Sequence, residues 1–427
     1  MKKNFFIAGS LSLATVSVLL MNGCLKDKGT IQYQMNTPIY QTTAQMRAGI
    51  KRDAPQPVVN PGKMCVLGNT IFLSEAEKGI HIIDNTNPSS PLNKAFINIP
   101  GNEDIAVEGN ILYADCYTDL LAIDVSNSNN VVFKNYVAGI FPQRRWVNGY
   151  YMDSGKVITS WIVKHVKSDL HLTVGQGTWS NGSYITPINY NIIYLSSSSS
   201  QSMASSSPTG IGGSMSRLAI QNGHLYAVSS QSLYSISIAH PLDPTYLNRK
   251  YIPFGMGSAE TIYPFQDKLF IGSTSGMFIF SVTDADNPQL ITTFAHATAC
   301  DPVITDGTNA YITLRSGRSC GGIQNELDVV NVQNVTHPTF LKKYNLSRPQ
   351  GLSKDGNTLI VCDDGLKVYD ATDPSNLLLK QSINLSEPYD VICINGLAIV
   401  SAKDGLYQFD YSNLANVKQL SKLSLNQ

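Results

Sequence analysis

The sequence predicts an all-β fold, a β-propeller of eight four-stranded blades, with seven blades as the alternative. Three observations lead to this prediction: a short strand phrase recurs at intervals near 40 residues, each interval has room for four strands, and no stretch of helical periodicity competes with them. Radial closure also suits a chain with so many strands, because it leaves few exposed sheet edges.

The recurring phrase is an apolar strand that begins with Gly or Asp and ends with Asp. It is clearest at residues 79–84, 119–124, 365–370 and 405–410, and weaker copies end at Ser237, Ser281 and Asn331. Asp84 and Asp124 are 40 positions apart, as are Asp370 and Asp410. Asp124 and Ser237 are 113 positions apart, and the chain between them accommodates one more unit, with residues 191–194 as its strand, and a large insertion. Eight units result, and a seven-bladed ring follows if this third unit does not close as a blade.

Each unit has the composition of four strands joined by short turns. In the second unit the strands are predicted at 104–108, 111–114, 120–125 and 131–137. An Asp-x-x-[Asn/Asp]-Pro turn follows the third strand at 84–88, 284–288 and 370–374. Asp side chains cap such turns, and Pro presets the backbone angle.

The N-terminus has the pattern of an export signal. Lys2 and Lys3 precede an apolar stretch at 5–20, and Gly23 stands directly before Cys24. This arrangement resembles a bacterial lipobox, which implies a lipoprotein signal peptide at 1–23 and acylation, with palmitate or a similar chain, at Cys24. An ordinary secretory signal is the alternative. Two or more acyl chains give stable membrane anchoring without a spanning segment.

Composition and charge limit the remaining chain. The 31 basic residues balance 31 acidic ones, so no nucleic-acid partner is expected. Residues 24–60 are predicted to be a tether, in which residues 30–60 can add a strand, and 61–427 the propeller domain. The propeller carries an insertion at about 164–188 and a Ser-rich stretch at 196–207.

The strand phrase with its following turn resembles the LVIVD repeat. The segment from Pro61 through the phrase at 79–84 to Asn102 is similar to LVIVD-repeat lipoproteins of Bacteroidetes. The resemblance extends over 61–427 by its period, is sharp in the first two and last two units, and implies a β-propeller. It implies no reaction and no catalytic residue.

Alignment of the units places one side chain from each near the start of the innermost strands. These positions are Lys63, Asp104, Trp146, Ser216, Glu260, Asp301, Gln350 and Asp390. The four carboxylates would bind a cation such as Ca²⁺ or simply be solvated. Arg144, Arg145 and Arg348 at the same rim would neutralise part of that charge or hold an anionic ligand.

Two insertions fall between the second and third strands of their units, on the same predicted face. The first contains His165, His171, Trp179 and Tyr184, a mixture suited to a sugar or a peptide, and the second contains Arg315 and Arg318. Alternatively, both are variable loops without a role. Cys300 and Cys320 are placed to form a disulfide, whereas Cys65, Cys116, Cys362 and Cys393 are expected in the core.

These features favour a non-enzymatic binding or interaction scaffold in the bacterial envelope, anchored at the outer membrane and facing the periplasm or the cell surface. Its partner would be an envelope protein or a glycan. No metal-site, dinucleotide or Gly-x-Ser-x-Gly motif is present, and no cofactor other than Ca²⁺ is suggested. The alternative is a glycan-active hydrolase or lyase with its acid and base among Asp104, Glu260, Asp301 and Asp390. A purely structural envelope protein is the third reading.

Overall fold

The computed structural model describes residues 29–147, 149–153, 155–170, 207–253, 258–296, 302–317 and 322–424. Within these ranges seven antiparallel sheets follow one another along the chain, each with four strands paired in chain order. We number these sheets as blades 1 to 7 and letter their strands A to D.

The strand bounds are regular from blade to blade. Strands A to D are Pro61–Leu67, Thr70–Glu75, Gly79–Asp84 and Leu92–Asn98 in blade 1; Ile105–Glu108, Ile111–Cys116, Asp119–Asp124 and Val132–Val137 in blade 2; Leu218–Gln221, His224–Ser229, Ser232–Ser237 and Thr245–Tyr251 in blade 3; and Ala259–Phe265, Lys268–Ser273, Gly276–Ser281 and Gln289–Ala295 in blade 4. They are Val303–Thr305, Asn309–Leu314, Glu326–Asn331 and Thr339–Asn345 in blade 5; Leu352–Asp355, Thr358–Asp363, Gly365–Asp370 and Leu378–Ile383 in blade 6; and Pro388–Ile394, Leu397–Ala402, Gly405–Asp410 and Lys418–Ser424 in blade 7.

Burial along each blade shows its radial order. Strand B of blade 5, Asn309–Leu314, is buried at every position, whereas strand D, Thr339–Asn345, is exposed at most of its positions. Strands buried on both faces are continuous apolar runs rather than alternating ones, which is the pattern of strands B and C here. The core is therefore divided into layers between neighbouring blades, for example the Tyr226 and Phe278 layer between blades 3 and 4.

The A strands of neighbouring blades contact one another around the channel, and contacts between blades 7 and 1 close the ring. Blades 7 and 1 are each built from one continuous segment, so the ring closes without strand exchange. Side chains join them instead: Gln408 Nε2 donates to Asn85 Oδ1 at 2.7 Å, and Ser421 Oγ donates to the Pro88 carbonyl at 2.6 Å. An apolar layer that includes Leu73 and Ile399 lies between the two blades.

The prediction of eight blades is wrong, and the alternative of seven holds. The A strands of blades 2 and 3 contact each other directly, which leaves no room for a blade from the third unit. That part of the chain instead forms a 3₁₀ helix at Pro142–Arg145, a hairpin of Trp146–Val147 with Tyr150–Tyr151, and a long strand at Lys156–Leu170. Residues 191–194, which we expected to form a blade strand, lie outside the described residues.

The turn after strand C has the structure that its sequence predicts. Asp84 Oδ1 accepts hydrogen bonds from the backbone N–H of Thr86 at 3.0 Å and from its hydroxyl at 2.7 Å, and Asp370 caps its turn in the same way. These hydrogen bonds lower the pKa of both carboxyls. In all seven blades the C–D register shifts two residues before the end of strand C, so the bulge is part of the repeat.

The described residues before blade 1, from 29 to 60, form three elements. Gly29–Thr42 pairs with Lys156–Leu170 in a two-stranded sheet, most of which belongs to a compact unit separate from the propeller unit. A capping box at Thr42 begins the helix Thr43–Ala48. Lys51–Asp53 then pairs with strand D of blade 1 as a further outer strand. In the described part of the chain, no helix has the length and apolar character needed to cross a membrane.

Candidate functional site

Residues 208–217, here called the axial segment, run through the propeller channel. The segment begins at the A–B turn of blade 2, where the Pro208 carbonyl accepts from Gly109 N at 2.8 Å. Ile211 and Gly212 then pair with Val66 and Cys65 in strand A of blade 1. Because this pairing is antiparallel, the segment travels toward the face that carries the D–A loops and the B–C turns.

The axial segment approaches the channel wall closely enough to require glycine. A Cβ atom at Gly210 would lie 2.6 Å from Cys65 Sγ, and one at Gly213 would overlap Asp390 Oδ2. Gly351 in the wall faces the same carboxylate, which its own Cβ would overlap. Glycine at these positions lets the segment and the wall come into direct contact.

Asp390 anchors the axial segment to blade 7. It is fully buried, and its Oδ1 accepts from Ser214 Oγ and from Val391 N, each at 3.0 Å. Met215 N donates to Oδ2 at 3.4 Å, and Ser214 Oγ also accepts from Leu352 N of blade 6 at 2.9 Å. Burial raises the pKa of Asp390 to about 7, although these hydrogen bonds lower it.

Asp104 has the matching role beside blade 2. Its carboxylate is 2% exposed, Oδ2 lies 2.5 Å from Lys63 Nζ, and Oδ1 accepts from Ser216 Oγ at 3.0 Å. The backbone N–H groups of Ile105 and Arg217 donate to the same carboxylate at 2.8 and 2.5 Å. Asp104 therefore joins blades 1 and 2 to the end of the axial segment.

A second polar network lies behind Asp104, and we did not predict it from the sequence. Asp115 Oδ1 accepts from Asn102 Nδ2 and from Asp104 N, each at 2.8 Å, and Oδ2 lies 2.5 Å from Arg144 Nη1. Burial raises the pKa of Asp115 to about 6, and Arg144 opposes this rise. The sequence contains one sign of this network, because Asp115 is a charged residue within the apolar run 111–116.

A cavity of about 200 Å³ opens at the channel mouth on the same face. Among its described lining residues are Lys63, Arg217 and Arg315, with Glu260 as the carboxylate. A neighbouring cavity of about 500 Å³ shares Lys63 and Arg217 and adds Glu77 and Glu103. Because the second cavity has these two carboxylates and lacks Arg315, it is less positive than the first. Arg217 Nη1 lies 3.5 Å from Glu103 Oε2.

A third cavity, of about 340 Å³, lies deeper in the channel beside the axial segment. No charged side chain is among its described lining residues, which are mostly apolar, including Ile211, Ile262 and Pro264. Its hydroxyl groups belong to Thr209, Ser216 and Tyr263. This part of the channel is apolar, so the charged groups of the propeller axis are concentrated at the mouth.

The other predicted binding residues are dispersed. Trp146 is 64% exposed and packs at a tilt on Tyr151, with ring centroids 5.2 Å apart, and Arg145 closes the preceding 3₁₀ helix. Arg348 is exposed and lies 3.9 Å from Glu387. His165 is exposed on the strand Lys156–Leu170. The remaining candidates lie outside the described residues: Cys24, His171, Trp179, Tyr184, Cys300, Asp301, Arg318 and Cys320.

The four cysteines in the described ranges are free thiols in the propeller core: Cys65, Cys116, Cys362 and Cys393. Burial raises the pKa of each, that of Cys65 to about 12, so these thiols are unreactive at neutral pH. Within the ranges that the structure describes, no group of three His, Cys, Asp or Glu side chains is placed to hold a metal ion.

Comparison with known families identifies the repeat that carries part of this site. The family model of the LVIVD repeat matches residues 102–138, which are blade 2 and the end of the loop before it. The chain contains an LVIVD repeat. Within that repeat lie Asn102, Asp104 and Asp115, so the network that holds Arg144 and the end of the axial segment belongs to the LVIVD unit.

Solved structures similar to this LVIVD-repeat propeller share little of its sequence. The computationally designed Ika8 protein is 9% identical, with 87% of this chain and 91% of that chain covered and a TM-score of 0.50. BamB from Moraxella catarrhalis is 10% identical, with 88% and 99% covered and a TM-score of 0.43. The WD40 β-propeller domain of Doa1 is 10% identical, with 87% and 96% covered and a TM-score of 0.44. No curated protein matches the sequence.

Proposed function

We propose that this LVIVD-repeat propeller is a membrane-anchored envelope lipoprotein that binds a carboxylate-bearing ligand, a glycan or an envelope protein, at its channel mouth. The propeller fold with an LVIVD repeat is consistent with a binding or interaction scaffold. The lipobox-like sequence before Cys24 supports anchoring at the outer membrane.

We infer the class of ligand from the charged side chains that line the cavity at the channel mouth. Three cationic side chains, Lys63, Arg217 and Arg315, line it beside the single described carboxylate of Glu260. Asp104 neutralises Lys63, and Glu103 lies near Arg217, so Arg315 is the guanidinium that faces the cavity, beside Glu260. A guanidinium at a partly enclosed site favours bidentate binding of a carboxylate.

The arrangement of the acids supports a scaffold over the hydrolase or lyase alternative. A general acid or base must reach a proton on the substrate, yet Asp104 and Asp390 are buried. Their oxygens accept hydrogen bonds from Ser216, Ser214 and backbone N–H groups. Two of the four carboxylates considered for catalysis therefore serve to hold the axial segment.

The proposed ligand class is tested by binding of an acidic and a neutral glycan of the same length to the detergent-solubilised full chain. Oligogalacturonate and oligogalactose are the two probes, followed by calorimetry at low and moderate salt. We expect binding of the acidic probe alone, weakened by salt, and a loss of about tenfold in Arg315→Gln. Arg348→Gln is the matched control, because Arg348 is on the same face but does not line the cavity.

Equal binding of both probes, or unchanged affinity in Arg315→Gln, would remove the carboxylate assignment. Anchoring has its own test, because metabolic labelling with a palmitate analogue reports acylation directly. Labelling should be lost in Cys24→Ala, and the variant should leave the membrane fraction. Retained labelling would contradict the anchor without affecting the ligand proposal.

A further inference from the structure

A shallow cavity of about 360 Å³ lies on the side of the propeller between blades 4 and 5. It shares no lining residue with the cavity at the channel mouth. Its chemistry is supplied by Phe294 and His296 of blade 4 and by Glu326, Asp328, Phe340 and Lys343 of blade 5. We call it the lateral groove.

Asp328 is the unusual residue of the lateral groove. The residue is 5% exposed, and its Oδ1 atom has no hydrogen-bond partner. A buried, unpartnered carboxylate oxygen lowers the stability of a fold, so its retention requires a reason. Burial and the neighbouring Glu326 raise the pKa of Asp328 to about 6.

The repeat itself shows that this acid is not needed to build a blade. Asp328 stands three residues before the end of strand C. The same position carries an aromatic side chain in three other blades, namely Tyr234, Phe278 and Tyr407. A carboxylate in place of a ring leaves space between strand D of blade 4 and blade 5, where the lateral groove opens.

The neighbouring charged groups supply no hydrogen-bond donor to Asp328 Oδ1, so a ligand would supply it. Lys343 Nζ lies 3.3 Å from Glu326 Oε2 and neutralises that carboxylate. His296 and Lys343 both lower the pKa of the Asp328 carboxyl, so both of these described groups face it. The lateral groove is not a metal site by its geometry, since no described cluster of three potential ligands is suitable. An organic cation is the remaining partner for a buried carboxylate.

The aromatic side chains define the rest of that cation. Phe340 is 52% exposed at the edge of the lateral groove, and Phe294 is half-buried in its wall. An exposed ring beside a carboxylate suits an ammonium group carried on an aliphatic stem, because the stem packs on the ring while the ammonium donates to the carboxylate.

We propose that the lateral groove binds a primary ammonium group on an aliphatic stem, with Asp328 Oδ1 as the acceptor and Phe340 as the surface for the stem. A lysine side chain of a peptide and a free diamine share this chemistry. The proposal is independent of the ligand at the channel mouth, since the two sites share no residue.

The test uses the full chain in detergent and ligand-observed NMR with n-hexylammonium, matched to 1-hexanol as the uncharged probe. We expect millimolar binding of the amine alone, at least tenfold weaker in Asp328→Asn and unchanged in Asp267→Asn, an exposed acid of blade 4. Binding should weaken from pH 7.5 to pH 5, because protonation of Asp328, whose pKa is raised to about 6, removes the negative charge that attracts the ammonium group. Two further probes then distinguish the two sources of the ammonium group: a peptide with one central lysine, and 1,5-diaminopentane. The source is the one whose probe binds more tightly.

The variants are designed so that a folding defect does not imitate a binding defect. Asp328→Asn removes a buried unpartnered charge, so its thermal midpoint should equal or exceed that of the wild type. Phe340→Ala changes an exposed ring and should weaken amine binding several-fold at unchanged midpoint. Equal binding of hexanol and hexylammonium, no binding of either probe, or full affinity in a folded Asp328→Asn variant would overturn the proposal.

Discussion

Ser214 Oγ donates a hydrogen bond to Asp390 Oδ1 at 3.0 Å, between residues 176 positions apart in the chain. The same hydroxyl oxygen accepts from Leu352 N at 2.9 Å, so one buried serine of the axial segment joins blades 6 and 7. The axial segment therefore acts as a structural element of the ring, and its last residue, Arg217, lines the cavity at the channel mouth.

Ser214→Ala should destabilise the propeller by about 2 kcal/mol, because it leaves Leu352 N and Asp390 Oδ1 each without one buried partner. Urea unfolding followed by circular dichroism measures the change. Ser375→Ala is the control, since Ser375 hydrogen-bonds Asp373 in an exposed turn, and it should change stability by less than about 1 kcal/mol. Equal effects of the two variants would show that Ser214 does not bridge the blades.

Gly213→Ala should destabilise the fold by about 3 kcal/mol or prevent folding, because the new methyl group would overlap Asp390 Oδ2 and lie 2.7 Å from its Cγ. Gly155→Ala is the matched control, since nothing lies within 4 Å of its Cβ position. Soluble yield and thermal midpoint report both variants. A Gly213→Ala protein as stable as the control would contradict the tight contact between the axial segment and blade 7.

Asp390 should make the stability of the propeller depend on pH. Its folded-state pKa of about 7 lies above the ordinary 3.8, so the folded protein retains a proton that the unfolded chain has lost. Stability is therefore highest below the unfolded pKa and falls as pH rises from about 4 to 7, by about 4 kcal/mol at ~1.4 kcal/mol per pH unit.

The contribution of Asp390 is isolated by comparing the wild type with Asp390→Asn in urea at several pH values. The stability of the wild type relative to the variant should decrease from pH 4 to pH 7.5 and level off above it. A difference that is constant over this range would mean that the Asp390 carboxyl does not titrate with a raised pKa.

Arg144→Met should cost about 3 kcal/mol at pH 7.5, because it leaves the buried Asp115 carboxylate without its ion-pair partner. The cost should be smaller at pH 5, where protonation of Asp115 removes the unpaired charge. Arg348→Met, which removes an exposed guanidinium 3.9 Å from Glu387, should cost less than about 1 kcal/mol at either pH. The result that argues against the network is a cost for Arg144→Met that does not change with pH.

Much of the fold could be predicted from the sequence, because the same strand pattern recurs in each repeat and can be recognised by comparing the repeats. The phrases ending at Asp84, Asp124, Asp370 and Asp410 locate strand C of four blades. The blade count could not be obtained in this way, because the chain between Asp124 and Ser237, which are 113 positions apart, fits either another blade or an insertion that returns to the ring. Only the contact between the A strands of blades 2 and 3 decides between them.

The sequence predicts where these side chains lie along the channel, but not what they contact. Alignment of the units places Asp104, Ser216 and Asp390 at the starts of innermost strands. In the structure all three lie at the end of the channel that carries the D–A loops and the B–C turns. Their burial depends on the axial segment, which has glycines but no periodic pattern to reveal its path. Asn102 and Asp115 were overlooked because a period identifies strands and gives no information on which polar side chains meet behind them.

The passage of the axial segment through the channel is tested most directly by a cross-link in the Gly212→Cys variant. Gly212 pairs with Cys65 across the antiparallel strands and has room for a Cβ atom, so the two thiols should form a disulfide when the variant refolds in a glutathione redox buffer, in which Cys65 is accessible until the strands pack. Peptide mapping by mass spectrometry should find the two peptides joined, and separate in the Gly212→Cys/Cys65→Ser double variant. Rapid alkylation of the introduced thiol in the refolded protein, with no joined peptide, would contradict a segment that runs along strand A of blade 1 in the channel.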